Sequence, residues 1–469
     1  MSFNRRSFLK GSALTTAGLT LGGCDTFSGG SFSYPAITKV CAKKPGDKLN
    51  IGVIGVGGKG GSDWGPMFAN GENIVALCDT NRKAVDKAVA KIKKATPGVE
   101  VKCYSDYRKM LDENNNLDAV TVSTPDHTHA PAAIRAMKQG CHVFVQKPLV
   151  RTIWEARYFE KVAKASGVIT QMGNQGSAAK GLRRNVELLQ SGILGKVREV
   201  HVWTNRPVWP QAIGRPEGQN EVPDTLNWDC WLGTAKVRPY VEGVYHSFKW
   251  RGFLDFGTGA FGDMACHTMN LPFRGLQLED VVAAETIMIE GKNTETYPAK
   301  SIVKLTYAAR KRMPELELFW YDGKEKPSAE IMPQVIATLG EVPRTGCLII
   351  GDKGMMCSTN DYGKDAYVAL KGETMMKSTT KHEALIDLPE TIERCKSSQQ
   401  LEFVNAIKGT ENTYSDIDHS IPILEGMLVG CIAQQIPGKL SWSSRKQQFA
   451  NNDAANVLLM PHIRKGFEF

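Results

Sequence analysis

The sequence predicts a Rossmann-type α/β dinucleotide-binding domain followed by an α+β domain with a predominantly antiparallel open sheet. Three observations predict it. A buried-strand run, Leu49 to Ile54, opens directly into the glycine loop Gly55-Val56-Gly57-Gly58-Lys59-Gly60. Strand and helix patterns then alternate as far as Gln175. After Gly195 the period changes, and four segments alternate or run apolar like strands of an antiparallel sheet. A chain of 469 residues is also too long for one typical core.

The chain begins with Asn4-Arg5-Arg6-Ser7-Phe8-Leu9-Lys10 and a modest apolar stretch from Ala13 to Leu21. Twin arginines before such a stretch form the signal of the export route for folded proteins. The stretch is too short and too rich in Gly and Thr for a spanning helix, which wants about 20 apolar residues. Leu21-Gly22-Gly23-Cys24 resembles a lipoprotein box, in which Cys24 becomes the lipid-bearing N-terminus. An ordinary signal with a chance cysteine is the alternative. Residues 1–24 are thus read as signal, 25–47 as a Ser-, Gly-, Pro- and Lys-rich tether, 48–175 as the nucleotide domain and 176–469 as the substrate domain.

In the glycine loop, Gly55 permits a tight turn, Gly57 lets backbone approach a pyrophosphate, and Gly60 allows close packing of the following helix. The pyrophosphate would sit on that helix's N-terminus. A second strand, Ile74 to Cys78, delivers Asp79 at the spacing of the acid that binds ribose hydroxyls. A carboxylate there favours NAD over NADP, although Arg82 stands close. The other reading of Asp79 is a cap for the helix containing Val85, Val89 and Ile92. Leu117 to Val122 and His142 to Val145 are further strands, with a helix between them carrying Ala132, Ala133, Ala136 and Met137. The second of these strands brings Gln146-Lys147-Pro148 to the edge where ligands of open α/β sheets bind.

The glycine loop, Thr124-Pro125-Asp126-His127-Thr128-His129, Gly140-Cys141-His142-Val143 and Gln146-Lys147-Pro148 together resemble the Gfo/Idh/MocA oxidoreductases, from about Leu49 to the C-terminus. That family usually has Glu-Lys-Pro where this chain has Gln146, so a negative charge is lost beside the lysine. The resemblance implies that Thr124, His129, Gln146, Lys147 and Asn174 contact the cofactor. It also implies an Asp and a His four apart on a helix, matched by Asp263 and His267. That spacing puts both on one helical face. A helix salt bridge and a zinc site are the competing readings of the pair, but no His- or Cys-rich spacing supports zinc. Aromatic and charged residues just before it, Phe248 to Arg251 and Asp255 to Gly257, suit a sugar.

The implied activity is NAD-dependent oxidation of a secondary hydroxyl of a sugar or glycoside. His267 takes the hydroxyl proton, Lys147 stabilises the developing charge, and Asp263 orients His267 or binds a neighbouring hydroxyl; Lys147 and His267 could exchange roles. Export of the folded protein makes a bound, internally recycled cofactor the expectation. Recycling is met by a second carbonyl substrate, or by an NAD-dependent redox-neutral glycosidase, which oxidises, eliminates, adds water and reduces again. A lipid-anchored sugar-binding protein with a vestigial cofactor site is the non-catalytic alternative. A homo-oligomer is expected.

Other features are bland. The net charge of +9 is scattered among acids, with no basic block interleaved with aromatics, so no nucleic-acid partner is expected. The 11 cysteines include no Cys-x-x-Cys pair, and Cys78, Cys141 and Cys266 read as small buried hydrophobes. Lys180, Arg183 and Arg184 read as a solvated helix face. Asn205 to Arg215, with Arg206, Trp209 and Gln211, reads as a loop near the pocket, and Gly351 to Gly354 as a hairpin turn.

Overall fold

The computed structural model describes residues 43–310 and 313–469. The twin-arginine segment, Cys24 and most of the tether lie outside the described residues. Among the described residues, no helix is long and apolar enough to cross a membrane.

The first half alternates β1 (Asn50–Ile54), α1 (Lys59–Ala69), β2 (Asn73–Cys78), α2 (Arg82–Ala95), β3 (Lys102–Tyr104), α3 (Tyr107–Asp112), β4 (Ala119–Val122), α4 (Asp126–Lys138), β5 (His142–Gln146), α5 (Ile153–Ser166) and β6 (Thr170–Gly173). All six strands are parallel, in the order β3-β2-β1-β4-β5-β6. The order reverses between β1 and β4, which leaves a crevice at the carboxyl ends of those strands. Strands β4 and β5 are buried throughout, as helices on both faces require. Local signals set the helix ends. Asn81 caps α2 by accepting from the Lys83 N–H, so Asp79 is not the cap of that helix. Thr152 and Glu155 cap α5 reciprocally, and Gly167 ends it at φ 66°.

The chain continues through α6 (Lys180–Gln190) into β7 (Val197–Trp203), the central strand of a second sheet. Then come α7 (Trp228–Leu232), α8 (Gly259–Thr268), α9 (Asn270–Gly275), β8 (Val281–Glu290), β9 (Lys300–Tyr307), β10 (Leu316–Asp322), α10 (Pro333–Leu339), β11 (Gly346–Gly351), β12 (Gly354–Ser358), β13 (Ala366–Leu370) and β14 (Lys377–Ser378). The C-terminal region is α11 (Glu383–Ile386), α12 (Gln399–Ile407), α13 (Ile417–Gln435), β15 (Lys439–Ser443), β16 (Gln448–Phe449) and α14 (Asp453–Val457). Ten strands form this sheet, ordered β14-β13-β12-β11-β7-β10-β9-β8-β15-β16. Every pairing is antiparallel except β7 with β10. The turn at Gly351 to Gly354 joins β11 to β12, as read from the sequence.

Helices α8 and α13 cover one face of this sheet, where Phe261 stacks flat on Trp320 at 4.5 Å. On the other face Trp203, Tyr321, Leu348, Met332 and Val335 share an apolar cluster. The C-terminal region packs back on the body. Phe403 of α12 meets Phe144 of β5 edge-on at 5.8 Å, and Glu425 of α13 pairs with Arg157 of α5.

One expectation fails here. Arg183 is buried, pairs with Glu402 and donates to the Ser177 and Glu393 carbonyls, while Arg184 donates to those of Leu385 and Pro389. These arginines tie α6 to the C-terminal region instead of facing water. Helical periodicity cannot see such distant partners.

Candidate active site

A cleft of about 990 Å³ runs along the carboxyl edge of the first sheet to α8 of the second half. Gly55, Gly57, Asp79, Thr124, Gln146, Lys147, Asp263 and His267 all line it. Two glycines shape the loop. Gly55 has φ 81°, and a Cβ there would lie 2.4 Å from the Ser123 carbonyl oxygen. Gly60 sits behind the loop, where a Cβ would be 1.9 Å from the Gly55 oxygen. Gly60→Ala is therefore expected to displace the loop and empty the protein of NAD. Cofactor released per protein after denaturation measures this, and parent-like occupancy would contradict it.

The residues fit a dinucleotide. The first turn of α1 opens on the cleft at Gly58 and Lys59, offering its N-terminus to a pyrophosphate. Asp79 closes β2 with its carboxylate across the glycine loop. Its Oδ2 accepts from the Val56 and Gly57 N–H groups at 2.8 and 3.2 Å, and its Oδ1 from the Asn81 N–H at 2.9 Å. A carboxylate has about four acceptor sites, so it can hold the loop and still accept from ribose hydroxyls.

At the other end, β5 delivers Lys147. Its Nζ donates to Asp263 Oδ1 at 2.7 Å and to the Asp263 carbonyl at 3.0 Å, and Arg251 Nε donates to the same carboxylate at 3.2 Å. Burial works to lower the Lys147 pKa, but the Asp263 charge, Cys266 and the Asp263 hydrogen bond outweigh it and hold it above its ordinary value. Burial likewise works to raise Asp263, and the two cations overcome it, so its carboxyl lies below its usual range. The pair is ionised.

His267 turns away from Asp263 to Asn174. Asn174 Nδ2 donates to the Cys266 carbonyl at 2.6 Å, which leaves its Oδ1 facing His267 Nδ1 at 2.9 Å. Nδ1 therefore carries the hydrogen, and Nε2 keeps its lone pair. Burial, then the Lys147 charge, push the His267 pKa down to about 3, so the imidazole is neutral. Tyr362 stands edge-on to it at 5.3 Å, with its hydroxyl accepting from Gln175.

The structure adds partners to several of these residues. Asn174, which the resemblance places on the cofactor, is fully buried and sets the His267 tautomer. His129 is also buried outside the cleft lining, with its ring nitrogens on the Pro148 and Thr124 carbonyls at 2.8 and 2.9 Å. It braces the turn that carries Lys147. Asp263 holds Lys147 and Arg251 and makes no hydrogen bond to His267, which removes the orienting role and the helix salt bridge alike. Held protonated beside Asp263, Lys147 is placed as a donor, and the neutral His267 as an acceptor.

Asp63 and the Trp228–Trp231 stack were not singled out in the sequence, whereas Arg206, Trp209 and Phe248 to Arg251 were read there as pocket residues. Asp63 is wholly buried on α1 and accepts from Gln146 Nε2 at 2.9 Å, Ser123 Oγ at 2.9 Å, Gln400 Nε2 at 3.1 Å and Lys59 Nζ at 2.5 Å. A carboxylate at position 146 would face Asp63, which accounts for the amide there. The segment between β7 and α8 forms an aromatic subcore, with Trp228 stacked on Trp231 at 4.6 Å. It docks on the nucleotide half through Arg82 N–H to Thr225 O and Asn227 N–H to Thr80 O, both 2.8 Å. Arg206, Trp209, Phe248 and Trp250 from this segment line the cleft, and the Arg251 guanidinium lies over Trp250 and Phe248 at 4.4 and 4.6 Å.

Comparison with known proteins agrees with this architecture. Residues 49–174 match the NAD-binding Rossmann fold of the Gfo/Idh/MocA oxidoreductase family, and residues 180–310 match its C-terminal alpha/beta domain. Residues 2–22 match the twin-arginine translocation signal, which supports export by that route to the periplasm. An alpha-N-acetylgalactosaminidase of Shewanella oneidensis is 34% identical over 164 residues, covering 33% of this chain and 35% of that protein. A glycosyl hydrolase family 109 protein of Shewanella putrefaciens matches to the same extent. The match thus spans about a third of these curated relatives. Among solved structures, the WlbA dehydrogenase of Bordetella pertussis, complexed with NADH and UDP-GlcNAcA, has a TM-score of 0.57 at 16% identity, covering 85% of this chain and 99% of its own. An inositol dehydrogenase homolog of Azotobacter vinelandii, complexed with NADH and myo-inositol, has 0.56 at 16% identity, covering 86% and 99%. At that identity these likenesses speak for the fold. With both family domains matched in order, and the glycine loop, Asp79 and Lys147 on one cleft, the chain belongs to the Gfo/Idh/MocA oxidoreductase family and its cofactor is NAD.

Proposed function

We propose that this protein oxidises a secondary hydroxyl of a sugar or glycoside and keeps its NAD bound between half-reactions. The observation that carries this reading is the convergence of an ionised Lys147 and a neutral His267, with Nε2 unprotonated, on the cleft at the end of β5. Bound NAD supplies the acceptor for the hydride leaving the carbinol carbon. His267 Nε2 accepts the hydroxyl proton. The Lys147 ammonium donates to the same oxygen as its charge grows, and it stabilises that charge more than it would the neutral alcohol. Asp263 and Arg251 hold the ammonium in place. Trp209 and Phe248 offer apolar faces to a sugar ring.

The names of the curated relatives favour a second form of the same chemistry, a redox-neutral glycosidase in which the hydride is returned after the glycosidic bond has broken. Export fits both forms, because each regenerates the cofactor in place. Attachment to the membrane through a lipid on Cys24 and assembly into a homo-oligomer belong to the same proposal. The test uses protein purified without added nucleotide. NAD is expected among the molecules released on denaturation, and glycosides are expected to generate reduced-cofactor absorbance in the intact protein. Free sugar without net reduction selects the glycosidase. Absence of bound nucleotide, or no response to any glycoside, overturns the reading.

A further inference from the structure

Asp126 is a carboxyl of the cleft for which the oxidation above has no use; Asp361, the other, accepts from Thr345. It opens α4 directly after β4 and is 2% exposed. Thr258, just ahead of α8, donates to its Oδ2 at 2.9 Å. Among the described residues its other oxygen has no hydrogen-bond partner, and no cation lies within salt-bridge distance, although Lys147 and Arg251 stand nearby. Asp79 and Asp263 are committed to the glycine loop and to two cations. Asp126 thus borders the cleft between the strand edge carrying Lys147 and the helix carrying His267, with bonding capacity to spare.

We propose that Asp126 is a second proton-handling group, the base that removes a proton from the carbon next to the newly formed carbonyl. This rests on the sugar-oxidising reading above. The C–H bond of that carbon breaks, the proton passes to the Asp126 carboxylate, and the electron pair moves toward the carbonyl oxygen, which faces the Lys147 ammonium. Where the next carbon bears the glycosidic oxygen, the pair instead expels that oxygen, which takes a proton from water. The remaining hydroxide adds to the vacated carbon, and Asp126 returns its proton to the α-carbon. Atoms and electrons balance with water as the only co-reactant.

The surroundings support this exchange. Burial and the neighbouring Asp263 push the Asp126 pKa up to about 7, against the pull of Arg251, Lys147 and Thr258. The buried Tyr297, Cys266 and Cys431 are its other titratable neighbours, and burial keeps all three protonated. Asp126 therefore gains and loses a proton near neutrality, while the resting His267 is neutral and takes a proton only from the reacting hydroxyl, and Lys147 keeps its own.

The test is solvent exchange. Protein carrying its NAD is incubated with a glycoside in deuterated water, and deuterium at the carbon beside the oxidised one is counted by mass and NMR against reduced cofactor formed. The parent is expected to incorporate deuterium. Asp126→Asn is expected to lower the deuterium-to-reduction ratio by about 10²-fold or more, and Asp126→Glu to restore part of it. An unchanged ratio in Asp126→Asn overturns the proposal. So does reduction without deuterium in the parent, which leaves the oxidation reading standing. Neither reduced cofactor nor free sugar from any glycoside overturns both. Should Asp126→Asn fail to retain NAD, Thr258→Val carries the test. Loss of the donor to Oδ2 is expected to move the pH midpoint of exchange upward, and an unmoved midpoint rejects Asp126 as the base.

Discussion

Replacing His267 by Ala is expected to slow reduction of the bound cofactor by glycoside by about 10²–10⁴-fold, the usual loss of a positioned general base. Cofactor retention should survive, because His267 belongs to α8 and its hydrogen bond is to Asn174, not to the glycine loop. Lys147→Met should cost about 10²–10³-fold through loss of the oxyanion donor. It differs in a second way. It leaves the buried Asp263 carboxylate with Arg251 alone, and breaking a buried pair destabilises by roughly 3–5 kcal/mol. A lowered melting temperature should therefore accompany Lys147→Met far more than His267→Ala. Stopped-flow absorbance and thermal melts of the two variants separate these effects. Reduction by His267→Ala at the parent rate would make that side chain structural.

Mild acid is expected to unfold the protein. Burial holds His127, His129 and His142 at about 4 and His267 at about 3, while an unfolded histidine titrates near 6.5. Their neutral forms contribute stability that is present above 6.5 and is lost as the pH falls through the folded values. Asp126, raised to about 7, and Asp322, raised to about 6, act in the opposite sense. Their contribution is present in acid and is lost as the pH rises through those values. Near pH 5 the four histidines outweigh the two carboxyls, so stability falls on acidification. Urea melts at pH 7 and pH 5 measure this slope. A flat or inverted dependence would mean that these histidines charge within the fold.

The sequence by itself determined the Rossmann-type sheet and the mostly antiparallel second sheet, and its family resemblance implied Lys147, Asp263 and His267 as a catalytic set to look for. Those features are local. A strand buried on both faces reads as a continuous apolar run, a glycine loop reads as three spaced glycines, and two residues four apart on a helix share a face. Tertiary structure alone decided who bonds to whom. Asp263 reaches Lys147, 116 residues away, and leaves His267 to Asn174, 93 residues away. The same holds for Arg183 with Glu402, for Asp63 opposite Gln146, and for the Trp228–Trp231 stack in the segment that docks on the nucleotide half. The helical spacing placed Asp263 and His267 within reach of one another but carried nothing about the stronger partners the second sheet would bring. A buried ion settles on the partner that best repays its desolvation, and that choice depends on how the two sheets meet.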